Sequence, residues 1–415
     1  MLQVTWDPLG DGEAWVEFGP DGEFGQTTPP VPDGVGESRT VLVGNKPYAE
    51  VHWRVVARQD GALVVGAEHI DQVEGIAAAL PDVQLLDDDG SFEGFLFAVS
   101  WSVRTYLFAL DRDADVVWYR ALPLGRASLA MEQVPGVAAL RYLDVSLDHT
   151  LADGHVLTEA LDGTQLEDVP VEQGHHSFLT LPDGTLAWLA IDVRDDPDWG
   201  TLVGDRILTR APDGTVRTLW SAWDHFSYDP ATTYQTDFYP QGTDWTHANT
   251  LSYDATDDSL WVTLGGIDQI VEIDARTGAM LAQVGAGGAE ITPAVAGYGA
   301  GYGPHGAGRT PTGSLLLFDN HCEPAASASR VLEFKLDLDG DAARLLWEYE
   351  GQPGWSSLIL GDADRLETGE TFIVWGDAGF LQVLDPAHTQ TWLASVNGIV
   401  SDAVMVPDLY GRRPL

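Results

Sequence analysis

Four stretches of this chain follow one plan, and a plan repeated at this spacing leaves few folds open. HHSFLTLPDGTLAWLAID, HANTLSYDATDDSLWVTLGGIDQIVEID, HGAGRTPTGSLLLFDN and GDADRLETGETFIVWGDAGFLQVLDP each begin with a short segment and a turn of the PDG or TGE kind. An apolar strand follows, then an outer strand ending in a polar turn. They start near His176, His247, His305 and Asp362, roughly 57 to 71 residues apart. Multi-strand repeats longer than about 40 residues are the mark of propeller blades, since one small sheet cannot bury its faces alone and stacking around an axis does it for all of them. Two less regular units precede these, around GFLFAVSWSVRTYLFALDRDADVVWYRAL and GVAALRYLDVSLDHTLADGHVL, which makes six. The closing VSDAVMVP is placed to add a strand to the first unit and so seal the ring.

Residues 1–75 read differently. LQVTWDPL, EAWVEFGP, SRTVLVG, AEVHWRVVARQ and ALVVGAEHI alternate apolar and polar residues, as strands with one buried face do, and the Asp-Gly of ARQDGAL marks a hairpin. KPYAEVHWRVVARQDGA resembles the late strands of fibronectin type III domains, which implies a structural or spacing module. Few stretches show a 3.6-residue apolar period, and GIAAALPDV is cut short by its proline. The expectation is an all-β chain: a small N-terminal β-sandwich over 1–75, then a six-bladed β-propeller over 80–415.

Charge excludes whole classes of partner. With a net charge of -43 and only two lysines, Lys46 and Lys335, the surface repels nucleic acid and anionic membrane. Its plain meaning is solubility. Asp337, Asp339, Asp341 and Glu348 have the spacing of an EF-hand loop, but Ala342 stands where that loop needs glycine, so a hairpin is expected. The single Cys322 permits no intrachain disulfide. No apolar run approaches the roughly 20 residues of a membrane span. MLQVTWDPLG has neither the basic nor the apolar region of a signal peptide, so the chain reads as cytoplasmic or as a mature form.

Inner strands of a propeller line its central channel, so His176, His247 and His305, each at the start of an inner strand, are expected to meet there. The long aromatic-rich DHFSYDPATTYQTDFYPQGTDW, just before His247, is a candidate cover for the funnel mouth. Without a Gly-rich phosphate loop, a nucleotide donor has no cradle, and no cofactor or metal is expected.

DWTHANTLSYDATDDSLWVTLGGIDQIVEID resembles the signature blade of the bacterial arylsulfotransferase family, with Trp245, His247, Asn249 and the Tyr253–Asp254 turn. HHSFLTLPDG and PHGAGRTPTGSLLLFDN resemble its flanking histidine blades, and a small sandwich ahead of the propeller is also a family trait. The resemblance implies nucleotide-independent sulfuryl transfer from an aryl sulfate to a phenol through a sulfohistidine. It implies His305 as nucleophile, His176, His247 and Asn249 around the sulfuryl oxygens, and work in the periplasm, at the cell surface or outside the cell after loss of a signal. The family carries an arginine eighteen residues after the middle histidine, where this chain has Gly265. Restoring arginine there is expected to raise turnover, provided the strand admits it. The alternative is a non-catalytic secreted or cell-surface propeller that binds a ligand, a protein partner, a second copy of itself or a metal at the funnel.

Overall fold

The computed structural model describes residues 1–412 except 10–11, 35–36, 77–79, 151–152, 232, 234–237, 287–288, 296–297, 299–302, 321–327 and 339. Strand follows strand throughout. Among the described residues the only helical elements are three single 3₁₀ turns.

Six sheets of four or five strands occupy residues 83–406, all antiparallel except where Thr243–Asp244 joins Gly200–Arg210 in parallel. The third sheet runs outward from Gly174–Thr180 through Leu186–Asp196 and Gly200–Arg210 to Val216–Ser221. The fourth begins at Ala248–Asp254, the fifth at His305–Arg309 and the sixth at Asp362–Arg365. In each of these the next strand is a near-continuous apolar run, such as Ser259–Leu264 or Thr371–Trp375, because neighbouring sheets cover both of its faces.

Shared cores join the sheets in a closed ring. Leu140 and Tyr142 of the second sheet pack with Phe97 and Leu107 of the first. Trp188 packs toward Val156 and Val169, Ile207 toward Leu251 and Val262, Trp261 toward Leu317, and Phe318 toward Trp375. Trp392 and Phe372 then return to Leu96 and Phe108 of the first sheet. Fully burying one such aromatic side chain contributes about 2–3 kcal/mol.

Two seams complete the circle. Ile399–Val406 pairs with Phe95–Trp101 as the innermost strand of the first sheet, as the closing segment of the sequence suggested. Val83–Asp88 pairs with Gln390–Val396 as an extra outer strand of the sixth, which no pattern announced. Chain ends from opposite sides of the sequence thereby cover each other's edges.

Two further sheets lie over residues 2–72. Leu2–Trp6 pairs with Ser38–Leu42, while Glu13–Gly19 and Glu50–Gln59 form the centre of a six-stranded sheet. The Asp-Gly turn is a two-residue loop with both φ angles positive, Asp60 at 49° and Gly61 at 81°. Trp6, Val16, Phe18 and Trp53 share one core with Phe97, Val99 and Trp118 of the propeller. The region near residue 75 therefore marks a change of topology and not a break in the core. Lys46 reaches across to the loop of the first sheet, 2.5 Å from Asp113 and 2.7 Å from Asp115.

Arg330–Asp337 and Ala342–Glu350 pair with Asp337 opposite Ala342, so the EF-hand-like segment is a hairpin; Asp339 itself lies outside the described residues, as does Cys322.

Candidate active site

The inner strands of the third, fourth and fifth sheets each carry a β-bulge: between His175 and Phe178, between Ala248 and Thr250, and between His305 and Gly308. A bulge rotates the strand and re-aims its side chains. His176 and His247 stand in the left-handed region, with φ of 49° and 45°, whereas in the fifth sheet the left-handed residue is Gly306, one after His305. Measured from the last ladder pair before each bulge, at His175, Ala248 and His305, the three histidines lie within one residue of that position. A Cβ at Gly306 would come within 2.1 Å of Asp362 Oδ1, so that residue must be glycine.

These bulges deliver His176, His247, His305 and Asn249 to one cavity of about 570 Å³ on the propeller axis. His149, His175, Phe238, Tyr239, Trp101 and Leu360 also line it.

His305 is buried, and its Nδ1 lies 2.7 Å from Asn320 Oδ1. The Asn320 amide nitrogen donates to the carbonyls of Ser357 and Leu360, both at 2.8 Å, so its oxygen must face the imidazole. Nδ1 therefore carries the hydrogen and Nε2 the lone pair, an assignment that follows from the hydrogen-bond network. Burial pushes the pKa of His305 down to about 4, so the ring is neutral at physiological pH.

His247 has the opposite character. Its Nδ1 lies 2.5 Å from Oδ2 of the fully buried Asp244, whose Oδ1 accepts the His247 backbone N–H at 3.2 Å. Burial opposes its charge, but the carboxylates of Asp244 and Asp205 outweigh this and raise its pKa. His176 is held well below the usual histidine range, by burial first and then by the charge of His247. Its Nδ1 is 2.9 Å from His175 Nδ1 and 3.4 Å from the Tyr239 hydroxyl. His175 Nε2 sits 3.0 Å from Asp205 Oδ1, though off the line of a hydrogen bond, so that contact is electrostatic. It favours the proton on Nε2 of His175, whose Nδ1 then accepts from His176 and leaves the lone pair of His176 on Nε2. Asn249 donates to the Pro304 carbonyl at 3.1 Å and accepts from Thr250 at 3.1 Å, which fixes its amide plane.

A family model described as arylsulfotransferase (ASST) matches residues 82–402, most of the chain. The chain belongs to the arylsulfotransferase family. No curated protein matches it. Among solved structures, it is similar to a protein of unknown function from Bacteroides caccae, at 14% identity and a TM-score of 0.48 over 75% of this chain and 98% of that one. It is also similar to a protein from Lactobacillus plantarum, at 12% identity and a TM-score of 0.44 over 95% and 99%.

Against the arylsulfotransferase pattern, Gly265 is explained by its surroundings. It opens a 3₁₀ turn just past the strand Ser259–Leu264, and a Cβ there would stand 2.9 Å from Asn249 Nδ2 and 3.9 Å from His247 Cδ2. Any side chain at this position, arginine included, must move the Asn249 amide aside. Arg309 does not compensate, because its guanidinium lies over Trp261, 5.3 Å from the ring centroid, with Nε 3.5 Å from Asp254. Among the described residues no lysine or arginine lines the cavity.

Several site residues escaped sequence reasoning. Asp244 precedes His247 by three residues, a spacing that carries no signal outside a helix. Asn320 stood in the quoted FDN ending without a role. His149 comes from the loop after Ala139–Ser146 of the second sheet, where nothing in the repeat marks it. Phe238 and Tyr239 do come from the aromatic-rich stretch. Phe238 packs 4.2 Å from His149 and 5.2 Å from His247 between ring centroids, and Gln241 donates to the Thr150 carbonyl at 2.7 Å. That stretch thus spans from the third sheet to the second over the cavity wall. Residues 232 and 234–237 of it lie outside the described residues. The three predicted histidines do not form a preassembled metal set; the group that does among the described residues is Asp111, Asp113 and Asp115, where Lys46 already sits.

Proposed function

We propose that this chain transfers a sulfuryl group from an aryl sulfate to a phenol, with His305 Nε2 as the nucleophile. The observation that carries this is the state of His305: neutral under burial, with its Nδ1 hydrogen accepted by Asn320, in a ring that lines the cavity. Attack of Nε2 on sulfur forms an N–S bond while the S–O(aryl) bond breaks, and the phenolate leaves with its electron pair and takes a proton from solvent. The resulting sulfoimidazole is cationic, and Asn320 Oδ1 accepts its remaining N–H. An acceptor phenol then attacks sulfur, the N–S pair returns to Nε2, and the acceptor's proton passes to the lone pair of His176 Nε2 and on to solvent. The Asn249 amide and His247 face the transferring oxygens. Phe238, Trp101 and Leu360 provide an apolar wall for the aromatic ring, which a water-filled polar pocket would not.

Work in the periplasm, at the cell surface or outside the cell accords with the family, and among the described residues no helix is long and apolar enough to cross a membrane. The sheets over residues 2–72 serve as a structural module packed against the first propeller sheet.

Incubation with 4-nitrophenyl sulfate and a phenol tests the assignment. Expected are nitrophenol release and, with acceptor omitted, one SO₃ on the peptide bearing His305; His305→Ala removes both. A second reading, a binding propeller, is favoured by one observation, the lack of lysine or arginine among the described lining residues. Tight aryl sulfate binding with no phenol released, at any pH, would establish it.

A further inference from the structure

A sulfuryl group spreads negative charge over its oxygens, and a dry cavity needs a fixed positive charge to hold it. The described lining offers neither lysine nor arginine; of its five histidines, His149, His176 and His305 are held below the usual range, and His175 has its Nδ1 2.9 Å from His176 and its Nε2 3.0 Å from the buried Asp205. His247 is the exception. Its partner Asp244 is placed by the short parallel strand Thr243–Asp244 on the third sheet and is fully buried, where a carboxylate needs a charged or donating neighbour. The 2.5 Å contact of Asp244 with Nδ1 leaves Nε2–H as the ring's remaining donor, on the cavity side. The groups facing His247 are Asp244 and Asp205, the imidazoles of His149, His176 and His305, and the Tyr239 phenol. Two carboxylates thus support one cation, and the surrounding imidazoles stay neutral partly because of it. The ring's Cδ2 also borders the space that a side chain at position 265 would occupy.

We infer that the Asp244–His247 pair is the fixed cation of this cavity: His247, as imidazolium, binds the sulfuryl oxygens where no guanidinium is present, with Asp244 as its positioning residue. The inference rests on the sulfuryl-transfer reading for what the anion is. It adds a specificity. The Asp244–His247 ion pair offers the cavity one imidazolium and the described lining adds no lysine or arginine, which matches a monoanionic sulfate ester, whereas the second charge of an aryl phosphate dianion would be buried without a partner.

An aryl sulfonate, which carries the same anionic head on carbon and cannot transfer it, separates binding from chemistry. Calorimetry across pH is expected to show sulfonate affinity falling as pH rises through the raised His247 value. Asp244→Asn should weaken binding at neutral pH by about tenfold or more, the loss of one charge-assisted contact, and recover most of it on acidification. His247→Gln should weaken it to a similar extent with no recovery. Phenyl phosphate as its dianion should bind at least about tenfold more weakly than the sulfonate. A merely structural Asp244 would give a loss independent of pH, and that result overturns the inference. So does nitrogen NMR of the wild-type protein finding His247 neutral at neutral pH, a measurement that needs no variant to fold. Sulfonate binding as described but no aryl sulfate turnover would leave the cation in place and remove the transfer reaction instead.

Discussion

Acidification should cost this protein stability through His305, by an amount its surroundings set. An exposed histidine in the unfolded chain titrates near 6.5, while burial holds His305 at about 4 in the folded protein. Between those values the unfolded chain binds a proton that the folded protein refuses, so unfolding is favoured as pH falls. The contribution is fully present above about pH 6.5 and is lost progressively toward about pH 4. At about 1.36 kcal/mol per pH unit, the gap between about 6.5 and about 4 comes to about 3 kcal/mol. The Asn320 hydrogen bond works against this loss, and the buried position of the ring is what overcomes it. Urea unfolding of the wild type and of His305→Gln across that range isolates the effect, since glutamine does not titrate and both chains keep His176 and His247. The difference in unfolding free energy should move against the wild type by about 3 kcal/mol on acidification and stay flat above neutral pH. A difference constant within about 0.5 kcal/mol across the whole range would refute the neutral, buried imidazole and with it the nucleophile's ground state.

Gly265→Ala should lower turnover by about 10²- to 10³-fold through displacement of Asn249, with little change in melting temperature; nitrophenol release and a thermal melt decide it together. Removal of everything after Gly398 takes away the strand Ile399–Val406 and bares the edge of Phe95–Trp101, so the cooperative melt should be lost, and a sharp transition at the wild-type temperature would contradict the seam. Lys46→Met should shift stability by less than about 1 kcal/mol, because the ammonium is 44% exposed, and high salt should erase even that difference from the wild type.

The ring was legible because its signals are local. Apolar strands such as LWVTL and TFIVW, punctuated by turns and returning once in each repeat, state both the strand and the stacking. The closing strand could be read too, since a segment beyond the last repeat has only the first repeat left to join. The second seam could not: VQLLDD has the composition of any exposed strand, and its pairing with Gln390–Val396 depends on ring closure having brought the two ends together. Likewise Phe97, Leu107 and Trp118 read as interior to a blade, yet they share their core with Trp6 and Phe18.

The site divides the same way. Residue type and place in the repeat nominated His176, His247 and His305 and drew attention to the aromatic stretch before His247, because inner strands of a propeller converge by geometry, while Asn249 came from the family resemblance. The sequence by itself determined the strands, the ring and the four side chains that meet on its axis. Only the tertiary structure decided what those side chains are. Asp244 and Asp205 raise the pKa of His247 while burial lowers that of His305, two imidazoles of identical covalent chemistry, and Asn249 Nδ2 lies 2.9 Å from where a Cβ at position 265 would stand. Protonation depends on which buried groups lie within a few ångströms, and that distance is set by bulges and sheet packing that residue spacing does not encode.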